Sequence, residues 1–209
     1  MRRERYLHRL ITGHLDDRRI PALESGVPAL LVLDMQNYFL DPDSHAFVPS
    51  APDLVEPLRE LAELFESRDL PVIYTRHSNT PENAGAMARK WRTLPSAEDP
   101  MSEICGSFDT SWSAVVDKPQ YDAFLHTPLQ GLLEQLSVTS VVIAGLMTDL
   151  CCETTARAAF TRGYDVVFPV NGTATLNMDL HRATTLNLNH GFTPPVSIGA
   201  VRKAIGVGR

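Results

Sequence analysis

The run Val141–Gly163, VVIAGLMTDLCCETTARAAFTRG, constrains the fold more than any other stretch of the chain. Val141, Val142 and Ile143 are β-branched and apolar, which suits a strand covered on both faces. Gly145 breaks that run, Thr148 or Asp149 can cap a helix start, and Gly163 supplies the stop. A doubly covered strand leading at once into a helix belongs to an α/β layer architecture. Cys151 falls at about the third helical position, where free backbone N–H groups and the dipole's positive end favour a thiolate. Such a position also stabilises the oxyanion formed when a thiol attacks a carbonyl. Cys152, one residue on, points about 100° away round the helix and reads as core.

The same alternation recurs along the chain. Ala29–Leu33 is a continuous apolar run ending at Asp34, the pattern of a central parallel strand. Asp53–Ser67 carries Leu54, Leu58, Leu61, Leu64 and Phe65 on one helical face. Further strands are expected at Pro71–Tyr74, Ala114–Val116, Tyr164–Val170 and Val196–Ile198, with helices at Leu129–Leu136 and Met178–His190. Alternation at these spacings predicts a doubly wound parallel sheet. Residues 28–209 read as one domain, with residues 1–27 as a helical extension and linker. In that extension Tyr6, Leu7, Leu10, Ile11 and Leu15 recur at helical spacing. From about residue 76 to 112 the composition turns to Asn, Pro, Gly, Ser and Met, too long for an ordinary connection. A lid facing the substrate is expected there.

A formal charge of −6 and the lack of a Lys/Arg cluster give no footprint for nucleic acid. No apolar run approaches a membrane span, and the basic start has no apolar core of a secretory signal. Three cysteines, two of them adjacent, make no disulfide framework, so a reduced, cytoplasmic setting is expected.

In doubly wound sheets, ligands sit outside the carboxyl ends of the strands. Asp34, Lys118 and Cys151 each fall just beyond such an end. Together they form a nucleophilic set. Asp34 accepts the thiol proton and delivers it to a leaving amine, while Lys118 holds Asp34 ionised and favours the thiolate. Backbone N–H groups of Met147 and Cys151 would receive the oxyanion. The bland alternatives are a buried structural thiol and a surface lysine. Glu153 and Arg157 form an i,i+4 pair and read as helix support, and Cys105 reads as incidental.

Three stretches, LVLDMQNYF, DKPQYDAF and AGLMTDLCCETTARAAFTRGYDV, resemble the signatures of the isochorismatase-like cysteine hydrolase superfamily. That superfamily includes nicotinamidases, N-carbamoylsarcosine amidases, ureidoacrylate hydrolases and biuret hydrolases. The resemblance implies a three-layer α-β-α fold around a six-stranded parallel sheet, in a homo-oligomer such as a dimer or tetramer. It implies Asp34 as acid/base, Lys118 as its partner and Cys151 as nucleophile. Gln36 and Phe39 match positions behind the aspartate and are taken as substrate-binding, Phe39 as a pocket wall. A cis peptide is implied at Leu146–Met147.

The chain departs from two branches of that superfamily. True isochorismatases resemble it around LHTPL (Leu125–Leu129) but carry glycine where Cys151 stands and cleave a vinyl ether by acid chemistry. Nicotinamidases carry an Asp/His metal site after the first helix. Here His8, His14, His45, His77, His126, His181 and His190 show no such cluster, so neither metal nor other cofactor is expected. In the lid, His77, Trp91 and Trp112 are taken as substrate contacts, and Arg89, Lys90 and Arg92 hint at an anionic group. The expected activity is cysteine hydrolysis of an amide, ureido or imide C–N bond in a small molecule, through an acyl-thioester. The rivals are an Asp34-driven vinyl ether hydrolase and a binding protein on the same fold.

Overall fold

The computed structural model describes residues 20–206. The expected amphipathic helix at the start lies outside the described residues. The sheet is built from β1 (Pro28–Leu33), β2 (Val72–His77), β3 (Ala114–Lys118), β4 (Ser140–Leu146), β5 (Asp165–Pro169), β6 (Thr173–Ala174) and β7 (Pro195–Val196). Its order is β3-β2-β1-β4-β5-β7, with β6 paired to the far end of β4, and every pairing is parallel. The sheet therefore has seven strands where six were expected. The addition is the two-residue β6, too short to leave an alternating pattern in the sequence.

β1 and β4 are central, and all of their residues are buried. Leu30 and Val32 of β1 face one core, while Ala29, Leu31 and Leu33 face the other. On the first face lie α1 (Pro52–Glu66), with Leu54, Leu58, Leu61 and Phe65, and α2 (Ile198–Gly206), with Val201 and Ile205. On the second lie α3 (Leu129–Gln135), α4 (Glu153–Thr161) and α5 (Met178–Gly191). These contribute Leu129 and Leu133, Ala156 and Ala159, and Leu188. Each fully buried leucine contributes about 1.5–3 kcal/mol, so apolar burial on both faces holds the layers together. The expected three-layer architecture is what the chain adopts. Among the described residues no helix is long and apolar enough to cross a membrane.

The chain winds outward from β1 through β2 to β3, then returns to β4 on the other side of β1. The β1/β4 junction is therefore the point where strand order reverses, where such sheets bind ligands. Gly145 makes that junction tight. Its φ is +112°, and a Cβ there would stand 2.1 Å from the Leu33 carbonyl oxygen. Gly145→Ala must separate the two central strands, and is expected to destabilise the fold by about 3 kcal/mol. A urea midpoint indistinguishable from that of the parent protein would contradict this packing.

Several boundaries differ from expectation: β4 runs past Gly145 to Leu146, and β7 is Pro195–Val196, with Ile198 opening α2. β2 runs on to His77 and β3 to Lys118, so both side chains sit on strands. Thr75 and His77 are buried while Arg76 reaches Asp117 and Glu103, the alternation of a strand continued into polar sequence.

Candidate active site

Asp34 follows β1 with φ 53°, a left-handed conformation that aspartate tolerates better than most residues. Its N–H meets Thr75 Oγ1 at 3.1 Å, and the same hydroxyl donates to Asp34 Oδ1 at 2.6 Å. Lys118 ends β3, two strands away, and only a long side chain can cross β2 from there. Its ammonium has three protons and three partners. Nζ lies 2.8 Å from Asp34 Oδ2, and donates to Cys151 Sγ at 3.2 Å and to the Gln120 carbonyl at 3.0 Å. Aspartate and lysine are both fully buried. Cys151 follows β4, on the opposite side of β1 from Lys118.

The turn carrying Cys151 is not the opening of an α-helix. Thr148–Cys152 forms one π-helical turn, and α4 begins after it. The Met147 carbonyl accepts from both Leu150 and Cys152 N–H, which widens the turn. The Leu146–Met147 peptide is cis, at the position the resemblance implied. Thr148 Oγ1 contacts His181 Nδ1 at 2.9 Å and Thr173 Oγ1 at 3.0 Å, and Asp149 accepts from Thr175. The turn is thus pinned from behind by β6 and the start of α5.

The electrostatics correct one expectation. Burial, and then the Asp34 carboxylate, push the Cys151 thiol up to about 12, against the opposing pull of Lys118. Cys151 therefore rests as a thiol. For Asp34, burial alone would raise the pKa, but Lys118, His77 and the Cys151 hydrogen bond outweigh it and hold the carboxylate below its usual range. Burial likewise disfavours the Lys118 ammonium, and Asp34 and Cys151 more than restore it. His77 is driven down to about 4 by burial and by Lys118, so it is neutral. Asp34 Oδ2 faces the Lys118 ammonium, and the Cys151 thiol is within hydrogen-bond reach of the carboxylate.

Cys151 opens onto a cavity of about 180 Å³. Of the residues predicted to meet substrate, Phe39, His77 and Trp91 line it, as does Met147. Gln36 does not. Its Oε1 accepts from the His77 N–H at 2.8 Å, and its Nε2 donates to the His77 carbonyl at 3.0 Å and the Ser102 carbonyl at 2.7 Å. Fully buried and committed to backbone, Gln36 positions His77. Trp112 also stands outside the cavity, 90% exposed. Arg92 lines the cavity, whereas Arg89 and Lys90 do not. Cys152 is buried in the second core, as expected. The Glu153–Arg157 pair does more than support its helix, because Glu153 also accepts from Thr184 of α5.

Several wall residues were missed: Tyr38, His45, Tyr121, Leu150 and Leu176. Tyr121 lies within DKPQYDAF and Tyr38 within LVLDMQNYF, so motif proximity was the available signal. Among the described residues no group of three or more His, Cys, Asp or Glu side chains is placed to hold a metal ion. The Lys118 ammonium beside His77 further opposes a cation there. The residues present do not fit the metal site of nicotinamidases.

The isochorismatase domain model matches residues 28–199. The chain belongs to the isochorismatase family. It is an enzyme, a hydrolase of that family. Nicotinamidase 3 of Arabidopsis thaliana is 35% identical over 187 residues, covering 87% of this chain and 90% of its own. A ureidoacrylate amidohydrolase of Methylobacterium radiotolerans is 25% identical over 212 residues, covering 89% of this chain and 82% of its own. The structure of a cysteine hydrolase from Pseudomonas syringae pv. phaseolicola superposes with a TM-score of 0.84 at 25% identity, covering 90% of this chain and 95% of that one. Isochorismatase-family relatives thus span nearly the whole described chain.

Proposed function

We propose that the protein hydrolyses an amide or related C–N bond of a small, planar, largely apolar molecule, with Cys151 as nucleophile. The observation that carries this reading is the fully buried Lys118 touching both Asp34 and Cys151 Sγ, with Cys151 itself lining an aromatic cavity. Asp34 takes the thiol proton as Sγ bonds to the carbonyl carbon. The oxyanion is received by the N–H groups of Met147 and Cys151. Asp34 then gives its proton to the leaving nitrogen, and the C–N bond breaks to leave an acyl-thioester. Water, deprotonated by Asp34, attacks the thioester, and the acid leaves as the proton returns to sulfur.

A raised thiol pKa suits this sequence. A resting thiolate would have no proton to supply to the departing nitrogen, whereas a thiol beside an ionised carboxylate supplies it through Asp34. Vinyl ether cleavage by Asp34 alone would leave the Lys118–Cys151 contact without a task. The Arabidopsis and Methylobacterium relatives, named for a carboxamide and a ureido substrate, support the C–N assignment. A panel of carboxamides, ureido acids and carbamoyl compounds assayed for ammonia release is expected to yield at least one substrate turned over without added metal. Release of ammonia only after metal addition, or from none of these classes, would contradict the proposal.

A further inference from the structure

Behind the turn that carries Cys151 runs a chain of buried hydroxyls ending on a histidine. Thr148 Oγ1 donates to Thr173 Oγ1 at 3.0 Å, and Thr173 Oγ1 donates to the Val170 carbonyl at 3.4 Å. A hydroxyl has one proton, so the Thr148 oxygen can only accept from its remaining partner. That partner is His181 Nδ1 of α5, at 2.9 Å. The imidazole therefore carries its proton on Nδ1 and donates it to Thr148. Burial holds the His181 pKa below its ordinary value, which keeps the ring neutral with that single N–H.

Neither His181 nor Thr148 lines the cavity, and both are buried, so contact with substrate is no part of their role. A leucine from α5 would fill the same space without burying an imidazole, so the contact is better explained by what it holds. His181 is itself held in place. Asn177 caps α5, its side chain accepting from the Asp179 and Leu180 N–H groups, and Thr185 Oγ1 donates to the His181 carbonyl at 2.9 Å. The next residue of the turn, Asp149, accepts from Thr175. The back of the turn is thus tied to β6 and α5, while its front presents Met147, Leu150 and Cys151 to the cavity.

We propose that His181 is a positioning residue for the oxyanion step, its bond to Thr148 fixing where the Met147 and Cys151 N–H groups point. The inference rests on the reading of Cys151 as an acyl-accepting nucleophile and deepens it. Oxyanion donors act only within about 2.7–3.1 Å of the oxygen that becomes negative. A turn displaced by about 1 Å loses on the order of 100-fold in rate.

Two reagents separate this role from general damage, each followed at the Cys151 peptide by mass. With p-nitrophenyl acetate, Sγ adds to the ester carbonyl through an oxyanion, nitrophenolate leaves, and the thiol proton passes to Asp34. With iodoacetamide, Sγ displaces iodide directly and no oxyanion forms. His181→Leu is expected to slow acetylation by roughly 10–100-fold and to leave alkylation within about twofold. His181→Asn places an amide N–H about where Nδ1 stands and should restore most of the acetylation rate. Thr148→Val, which deletes the hydroxyl at constant shape, should show the same split as His181→Leu and serves if that variant does not fold. Equal loss of both rates, or loss of neither, would overturn the proposal, as would His181→Asn acetylating as slowly as His181→Leu. A parent protein that p-nitrophenyl acetate does not acetylate at Cys151 would overturn it too. The split found without ammonia release from any amide of the panel would support His181 and remove only the C–N assignment.

Discussion

Asp34→Asn is expected to lower turnover by roughly 10³–10⁴-fold. By leaving the buried Lys118 ammonium without its counter-charge, it should also cost about 3–5 kcal/mol of stability. Kinetics and a urea midpoint read the two separately. The amide keeps the shape and can still accept from Thr75, but it cannot take the Cys151 proton. A second, opposite effect separates this account from simple damage. The Asp34 carboxylate is one of two causes that raise the thiol, burial being the other, and Lys118 opposes both. Removing the carboxylate leaves Lys118 facing sulfur, so the thiol pKa falls and thiolate absorbance at neutral pH rises. A variant that is slower yet richer in thiolate is the predicted signature. The parent enzyme's kcat/KM should accordingly be flat through neutral pH. It should fall only in acid, as protons reach a carboxylate held below its usual range and so remove the base. A rate that climbed through mildly alkaline pH with thiol ionisation would contradict Asp34 as the base.

Cys151→Ala is expected to abolish turnover, by a factor on the order of 10⁶, since no covalent intermediate can form. The Asp34–Lys118 ion pair stays intact, so the loss is chemical. Leaving one partner of a buried pair unmatched would instead cost about 3–5 kcal/mol of stability. The variant also decides between chemistries. A vinyl ether hydrolase relying on Asp34 would survive the substitution, and a thiol hydrolase would not.

Much of this site was legible in the sequence because Asp34, Lys118 and Cys151 each sit at a strand end. The apolar runs of β1 and β4 can only be central strands, and their flanking Asp34 and Cys151 then share one sheet edge. Lys118 followed from the same logic, although its strand proved longer. The charge state of Cys151 was not legible. Helix-start position argues for a thiolate, but burial and a carboxylate at contact distance outweigh it, and both arise only on folding. Nor does local sequence distinguish a π-turn from an α-helix when the difference is which N–H groups share the Met147 carbonyl. Gln36 illustrates a related limit. A buried glutamine two residues after Asp34 reads as a ligand contact until its amide is seen gripping both backbone groups of His77. Trp91 and Trp112 are equivalent in composition and setting, and only the bond to Tyr121 separates them. Residues of the 76–112 stretch are positioned by what they meet, and those partners lie far away in the chain.

The most direct test of covalent catalysis by Cys151 is rapid quench followed by intact-mass and peptide analysis, using a substrate from the ammonia-release panel. Wild-type protein should gain the mass of the acyl group within a turnover, on the peptide containing Cys151 and not on those of Cys105 alone. Cys151→Ala should gain nothing and release no ammonia above background. Turnover by wild-type protein with no adduct at any quench time, together with undiminished turnover by Cys151→Ala, would contradict the account.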